Sequence, residues 1–277
     1  GKPIRWATAE VVRLRRTFEF AANELQTFGL EHLPADLDPR GEGARLTVER
    51  VPRGVVFCIV PYNWPYNLAA HKIAPALATG NTVVVKPSGQ AALCTLALCR
   101  LLHDAGFPPG TVNAVAMPGK IAEKAIEHPE VASISFTGSP EVGWGLKQKF
   151  WDRHVTLELG SDSRAIVLED ADLDWAARRC AEGAYGYAGQ VCISVQHVRV
   201  ARDVYEDFRD RLVRATQATP FGDPALQETV CGPMISASAA DRFEAAVDEA
   251  VTRGAKVLVR GARQGTLVPP VLLEDVP

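Results

Sequence analysis

From Gly54 to Leu159 short β-branched apolar runs alternate with helical stretches, and no other feature of the chain constrains its fold as much. The apolar runs lie at 55–60, 82–86, 112–115, 132–136 and 155–159. Helical patterns separate them at 66–79, 91–105, 119–128 and 140–150, the first closed by Gly80. Short apolar strands between helices predict a parallel sheet covered on both faces. The expected class is α/β, built on an open parallel, Rossmann-like sheet. No GxGxxG fingerprint follows any of the strands, so the usual dinucleotide signature is absent.

The alternation continues beyond Gly160, with strands expected at 165–168, 197–200 and 256–259 and helices at 173–187, 203–216 and 237–252. The Gly/Ser/Asp punctuation at 160–163 places a domain boundary there, giving domains 1–160 and 161–277. Ahead of the sheet, Ala7, Val11, Leu14, Phe18, Ala21, Leu25 and Phe28 recur at three- and four-residue steps. This spacing predicts an amphipathic helix laid on the first domain. A Pro-, Gly- and charge-rich connection follows at 34–44, then an exposed strand at 45–51.

Composition narrows the function. The formal net charge of -3 offers no basic field for nucleic acid or anionic lipid, and neither partner is expected. No apolar run has the length of a membrane span, and the first ten residues lack a signal-peptide core. The six cysteines, Cys58, Cys94, Cys99, Cys180, Cys192 and Cys231, form no CxxC pair and no zinc spacing. No metal site is expected, and the compartment is read as reducing and cytoplasmic.

Five cysteines sit in apolar or helical surroundings. Cys192 instead follows Gly189-Gln190-Val191, where a loop can expose the sulfur and backbone N–H groups can favour its thiolate; the alternative is a buried, inert thiol. Glu158 lies between Leu157 and Leu159. Desolvation there would raise its pKa and suit it to act as a general base, whereas the same alternation also fits a half-exposed strand. Asn63 follows the first strand in Pro61-Tyr62-Asn63-Trp64-Pro65, at the end of the sheet where open α/β folds bind ligands. Its amide could donate to an oxyanion or cap the next helix. Phe136-Thr137-Gly138-Ser139 ends a strand and opens a helix, whose N-terminal N–H groups can bind phosphate. Lys86 ends a strand at the same side of the sheet, within reach of a ribose or phosphate, or simply solvated.

Together these stretches resemble the NAD(P)-dependent aldehyde dehydrogenases. The matching segments are 61–65, 79–88 (Thr79-Gly80-Asn81 through Lys86-Pro87-Ser88), 136–139, 157–160 and 189–192, in the family's order, with 34 residues between Glu158 and Cys192. The resemblance covers the whole chain. It implies that 1–160 is a cofactor-binding domain and that 161–277 is the first part of a catalytic domain. It implies NAD or NADP as cofactor, a small or phosphorylated aldehyde as substrate, and a homo-oligomer, dimer or tetramer. In that family's mechanism Cys192 would attack the aldehyde, Asn63 would hold the oxyanion, and Glu158 would activate the water that releases the acid. Gly138 and Ser139 would hold the pyrophosphate. Lys86, Ser88, Gly89 and Trp64 would line the cofactor site, and Trp64 and Tyr187 the substrate pocket.

Two departures accompany the resemblance. The Glu that usually partners Lys86 is replaced by Gly89, which predicts weak discrimination between NAD and NADP. No Glu-Ile-Phe-Gly-Pro-like segment, which holds the nicotinamide ribose in the family, occurs in these 277 residues, so the stretch alone is expected to turn over slowly. Two other readings remain: acyl transfer to coenzyme A, and a shortened, non-catalytic chain that binds nucleotide.

Overall fold

A computed structural model describes residues 1–277. They divide into two compact units, Glu10–Leu159 and Gly160–Pro277, the second also including Gly1–Ala9.

The first unit contains most of helix α1 (Ile4–Glu24) and an antiparallel hairpin, β1 (Glu31–Leu33) with β2 (Leu46–Val48). Then come β3 (Val55–Ile59), α2 (Asn67–Ala78), β4 (Thr82–Lys86), α3 (Ala92–Asp104), β5 (Val112–Ala114), α4 (Gly119–Ile126), β6 (Val131–Gly138), α5 (Pro140–Lys149) and β7 (His154–Leu159). The five strands from β3 to β7 form one sheet in the order β5-β4-β3-β6-β7, with every neighbouring pair parallel. The chain therefore winds outward from β3 to β5 and then returns through α4 to start again on the other side of β3. Such a reversal opens a crevice beyond the carboxyl ends of the two central strands. The alternating, Rossmann-like parallel sheet expected from the sequence is present.

Both faces of the sheet are covered. On one, Ala69, Ile73 and Ala76 of α2 and Leu98, Cys99 and Leu102 of α3 pack on Cys58, Val83 and Val85. On the other, Ala122 and Ile126 of α4 and Leu146 of α5 pack with Phe150 on Phe57, Ile134, Phe136 and Val155. Each fully buried aliphatic or aromatic side chain contributes about 1.5–3 kcal/mol. Gly80, at φ 77°, stops α2 as expected: its N–H donates to Leu77 O at 3.0 Å and that of Asn81 to Ala76 O at 2.9 Å. Arg153 closes α4, its guanidinium donating to the carbonyls of Ile126, Glu127, His128 and Val131.

Helix α1 departs from expectation. It ends at Glu24, and Val11, Leu25 and Phe28 are exposed, while Leu14 and Phe18 pack against the sheet-covering core. The one buried residue of α1 is Glu10, 2% exposed. Its Oε1 accepts the N–H of Tyr66 at 2.8 Å and of Asn67 at 2.9 Å, at the start of α2. The face turns toward Glu10 because α2 has no side-chain cap of its own. Charge-assisted bonds of this kind contribute about 1.5–3 kcal/mol each.

In the second unit β8 (Ser163–Val167) pairs in parallel with β9 (Val195–Val200). Helices α6 (Leu173–Tyr185) and α7 (Tyr205–Gln217) bury Ala177, Cys180, Ala181, Phe208 and Leu212 with Val167. Helix α8 (Ala237–Thr252) leads into β10 (Lys256–Val259), which is antiparallel to β11 (Leu272–Glu274). Helix α6 stops at Tyr185, two residues short of its expected end, because Tyr187 has a positive φ. No helix is long and apolar enough to cross a membrane.

A buried lysine under the first sheet makes stability depend on pH. Lys72 of α2 is 6% exposed and donates to Ser135 Oγ at 3.2 Å. Burial pushes its pKa down from 10.5 to about 8, against the opposing pull of Cys58 and Glu158. Between those two values the unfolded chain binds more protons than the folded one, so stability rises with pH across that window. Below about pH 8 the whole cost of burying the cation, about 3 kcal/mol, is present. Lys72→Met should therefore stabilise the protein by up to about 3 kcal/mol at pH 7, less about 1 kcal/mol for the lost Ser135 bond, and much less near pH 10.5. Urea unfolding at the two pH values measures this, and an equal effect at both would contradict the desolvation.

Candidate active site

In the first unit the candidate residues gather at the carboxyl ends of the strands. Asn63 and Trp64 lie in the loop that leaves β3. Asn63 Oδ1 accepts the Trp64 N–H at 3.0 Å, and the carbonyl of Pro65 accepts from the buried Thr95 hydroxyl at 3.3 Å. Glu10, not Asn63, caps α2. Lys86 is the last residue of β4; it is half-buried, and burial lowers its pKa. Ser88 caps the short turn Gly89–Ala91, its hydroxyl accepting the Gln90 N–H at 3.4 Å. Around Gly89 an added Cβ would meet nothing within 4 Å.

On the other side of the switch point, Gly138 ends β6 and Ser139 caps α5, accepting the Val142 N–H at 3.5 Å. A Cβ on Gly138 would lie 2.5 Å from the Phe136 ring, and one on Gly143 would lie 2.5 Å from the Leu159 side chain. Gly143 lets α5 approach β6 and β7 closely, and Gly138 leaves room for the Phe136 ring on its own strand. Of the positions 138–141, Pro140 has no N–H to offer a phosphate. Beside this turn Thr137 Oγ1 is buried without a hydrogen-bond partner.

Glu158 occupies β7, the outermost strand, opposite Thr137 of β6, and is exposed. Of the two local readings this is the half-exposed strand. Its electrostatic neighbours are on α2. His71 has its pKa lowered chiefly by burial, with Glu158 pulling the other way, and Lys72 is similarly placed. Lys72 is the charged group that the sequence reading missed, since nothing in the α2 pattern marks it as buried.

In the second unit Cys192 lies in the loop between α6 and β9, half-buried, and its carbonyl accepts from the Ser161 hydroxyl. Four other thiols are withdrawn from reaction by burial: Cys58 is pushed up to about 12, Cys99 and Cys231 to about 11, and Cys180 also rises. Tyr187 is 4% exposed, with Lys2 Nζ 5.3 Å from its ring centroid, so it belongs to the interior of this unit. No three His, Cys, Asp or Glu side chains assemble into a metal-binding group.

Comparison with known proteins sets these residues in context. The chain is 40% identical over 277 residues to a 3-sulfolactaldehyde dehydrogenase of Priestia megaterium, and 37% identical over 279 residues to a lactaldehyde dehydrogenase of Methanocaldococcus jannaschii. It spans 58% and 59% of their lengths while being covered almost entirely itself. Its fold superimposes with a TM-score of 0.96 on aldehyde dehydrogenase 21 of Physcomitrella patens, solved with the product succinate, at 36% identity over all of this chain and 58% of that one. It superimposes with a TM-score of 0.93 on the NADP-dependent glyceraldehyde-3-phosphate dehydrogenase of Bacillus halodurans, solved with NADP, again at 36% identity over all of this chain and 58% of that one. Residues 1–277 match the aldehyde dehydrogenase family throughout, and the chain belongs to that family.

Proposed function

We propose that the protein oxidises a small aldehyde to its carboxylic acid with NAD or NADP, using Cys192 as nucleophile. The observation that carries this reading is the place of Cys192: it is half-buried in the loop between α6 and β9, whereas burial raises the pKa values of Cys58, Cys99, Cys180 and Cys231, and the half-buried Cys94 lies within helix α3. The relatives named for sulfolactaldehyde and lactaldehyde favour a short aldehyde bearing a hydroxyl beside the carbonyl.

The residues present fit a dinucleotide. The glycine-permitted turn into α5, the open space at Gly89 and the unpartnered Thr137 hydroxyl lie at the carboxyl ends of the strands. Bound NAD(P) supplies the hydride acceptor. Gly138 and Ser139 would hold its pyrophosphate. Lys86, Ser88, Gly89 and Trp64 would lie along its adenosine half. The Cys192 thiolate attacks the aldehyde carbon. The Asn63 amide donates to the oxygen that takes up the charge. Once a thioester stands on Cys192, Glu158 takes a proton from the water that cleaves it. An exposed carboxylate suits that step, because water must reach it.

Iodoacetamide near pH 8, followed by mass mapping, should label Cys192 and leave Cys58, Cys99, Cys180 and Cys231 unmodified. Cys192→Ala should abolish turnover; full activity in that variant would remove the assignment. In Glu158→Gln the first-turnover burst of NAD(P)H should persist while steady-state turnover falls about a hundredfold, within the range general bases contribute. A parallel fall in both would give Glu158 a different role. Cofactor choice should turn on Gly89. With no carboxylate there, the 2'-phosphate of NADP meets no like charge, and NADP should be accepted about as well as NAD. Gly89→Glu, for which the structure leaves room, should shift the kcat/KM ratio toward NAD by about one to two orders of magnitude. An unchanged ratio would place the selectivity elsewhere.

A further inference from the structure

The loop that carries Cys192 opens with three consecutive residues in the left-handed region. Tyr187 lies at φ 54° and ψ 41°, Ala188 at φ 54° and ψ 33°, and Gly189 at φ 67°. Glycine adopts this conformation freely, but Tyr187 and Ala188 do so only if surrounding contacts offset the strain. Some of those contacts hold the front of the turn. The Tyr187 N–H donates to Val230 O at 2.9 Å, and the same carbonyl accepts Trp6 Nε1–H at 2.9 Å. The Trp6 ring also lies so close to Gly186 that a Cβ there would come within 3.2 Å of it.

One side chain joins the turn to a neighbouring segment. The Gln190 backbone N–H and its Nε2–H both donate to Tyr187 O, at 3.1 Å and 3.2 Å. Its Oε1 accepts the Ile235 N–H at 2.8 Å. Ile235 directly precedes Ser236, the cap of α8. The carboxamide thus ties the strained turn to the segment that starts α8, and it needs a donor and an acceptor on one planar group to do so. Two residues later the chain reaches Cys192.

We propose that Gln190 is a positioning residue for Cys192: its carboxamide locks the left-handed turn and thereby fixes the backbone on which the thiol and the N–H of Cys192 are presented. The proposal rests on the reading of Cys192 as nucleophile.

The test compares Gln190→Met, similar in length but without either hydrogen bond, with the native protein. The measurements are the first-turnover NAD(P)H burst, NAD(P)H affinity by fluorescence, and the thermal midpoint. The burst rate should fall at least tenfold in Gln190→Met, with cofactor affinity unchanged within twofold. Adding Ala188→Gly to that variant relieves backbone strain and should recover about 2–4 °C of the thermal midpoint without recovering the burst. A purely structural Gln190 would regain both together, and that result would overturn the proposal. A burst in Gln190→Met equal to that of the native protein would overturn it as well. Loss of activity in Cys192→Ala alongside a normal Gln190→Met would refute this inference alone. Full activity in Cys192→Ala would refute the nucleophile reading instead.

Discussion

The first unit depends on a carboxylate placed where the sequence suggests a solvent-facing helix side. Helix α2 begins directly after the loop of Asn63 and Trp64 and has no cap of its own. Glu10 supplies one from α1, its Oε1 accepting two N–H groups of the first turn. Removing that oxygen would leave two buried donors unpaired, at about 1–3 kcal/mol each. Because the start of α2 is capped from α1, the Asn63 loop is not needed as a helix cap.

A second constraint is the contrast in polarity between the two units. Beneath the first sheet, a buried lysine lies within electrostatic reach of an exposed glutamate. In the second unit burial holds two of the three thiols protonated, Cys180 and Cys231, leaving Cys192 half-buried. Burial is costly for Lys72 and costless for a protonated cysteine. The first unit therefore buries charged side chains, Glu10 and Lys72, while the second buries none.

The strands were legible because β-branched runs such as Val83-Val84-Val85 have few other uses, and the end of α2 because Gly80 marks it. Motif order revealed the family without the glycine fingerprint. Other features left no local trace. The partners of Glu10 lie 56 and 57 residues away, so α1 was read from its apolar stripe alone. The helical pattern of α6 runs on through Tyr187, and neither Tyr187 nor Ala188 is a residue type that announces a left-handed backbone. Leu157-Glu158-Leu159 fits a buried or an exposed strand equally, and only the position of β7 at the sheet edge distinguishes them. Gly143 reads as a weak point within a helix until its distance to Leu159 is known.

The strand order also sets a timetable. β3, β4 and β5 are joined by successive crossovers and can associate as they are made. The central pair must wait, since Val55 of β3 meets Val131 of β6. Closing that long loop carries the larger entropic cost, and contacts so distant along the chain are gained late in folding. The crevice between the Asn63 loop and the Ser139 turn does not exist until those two strands zip together. A nascent chain would acquire that edge of the sheet in one late event, and until then would show a half-sheet whose central strand is still open to a wrong partner.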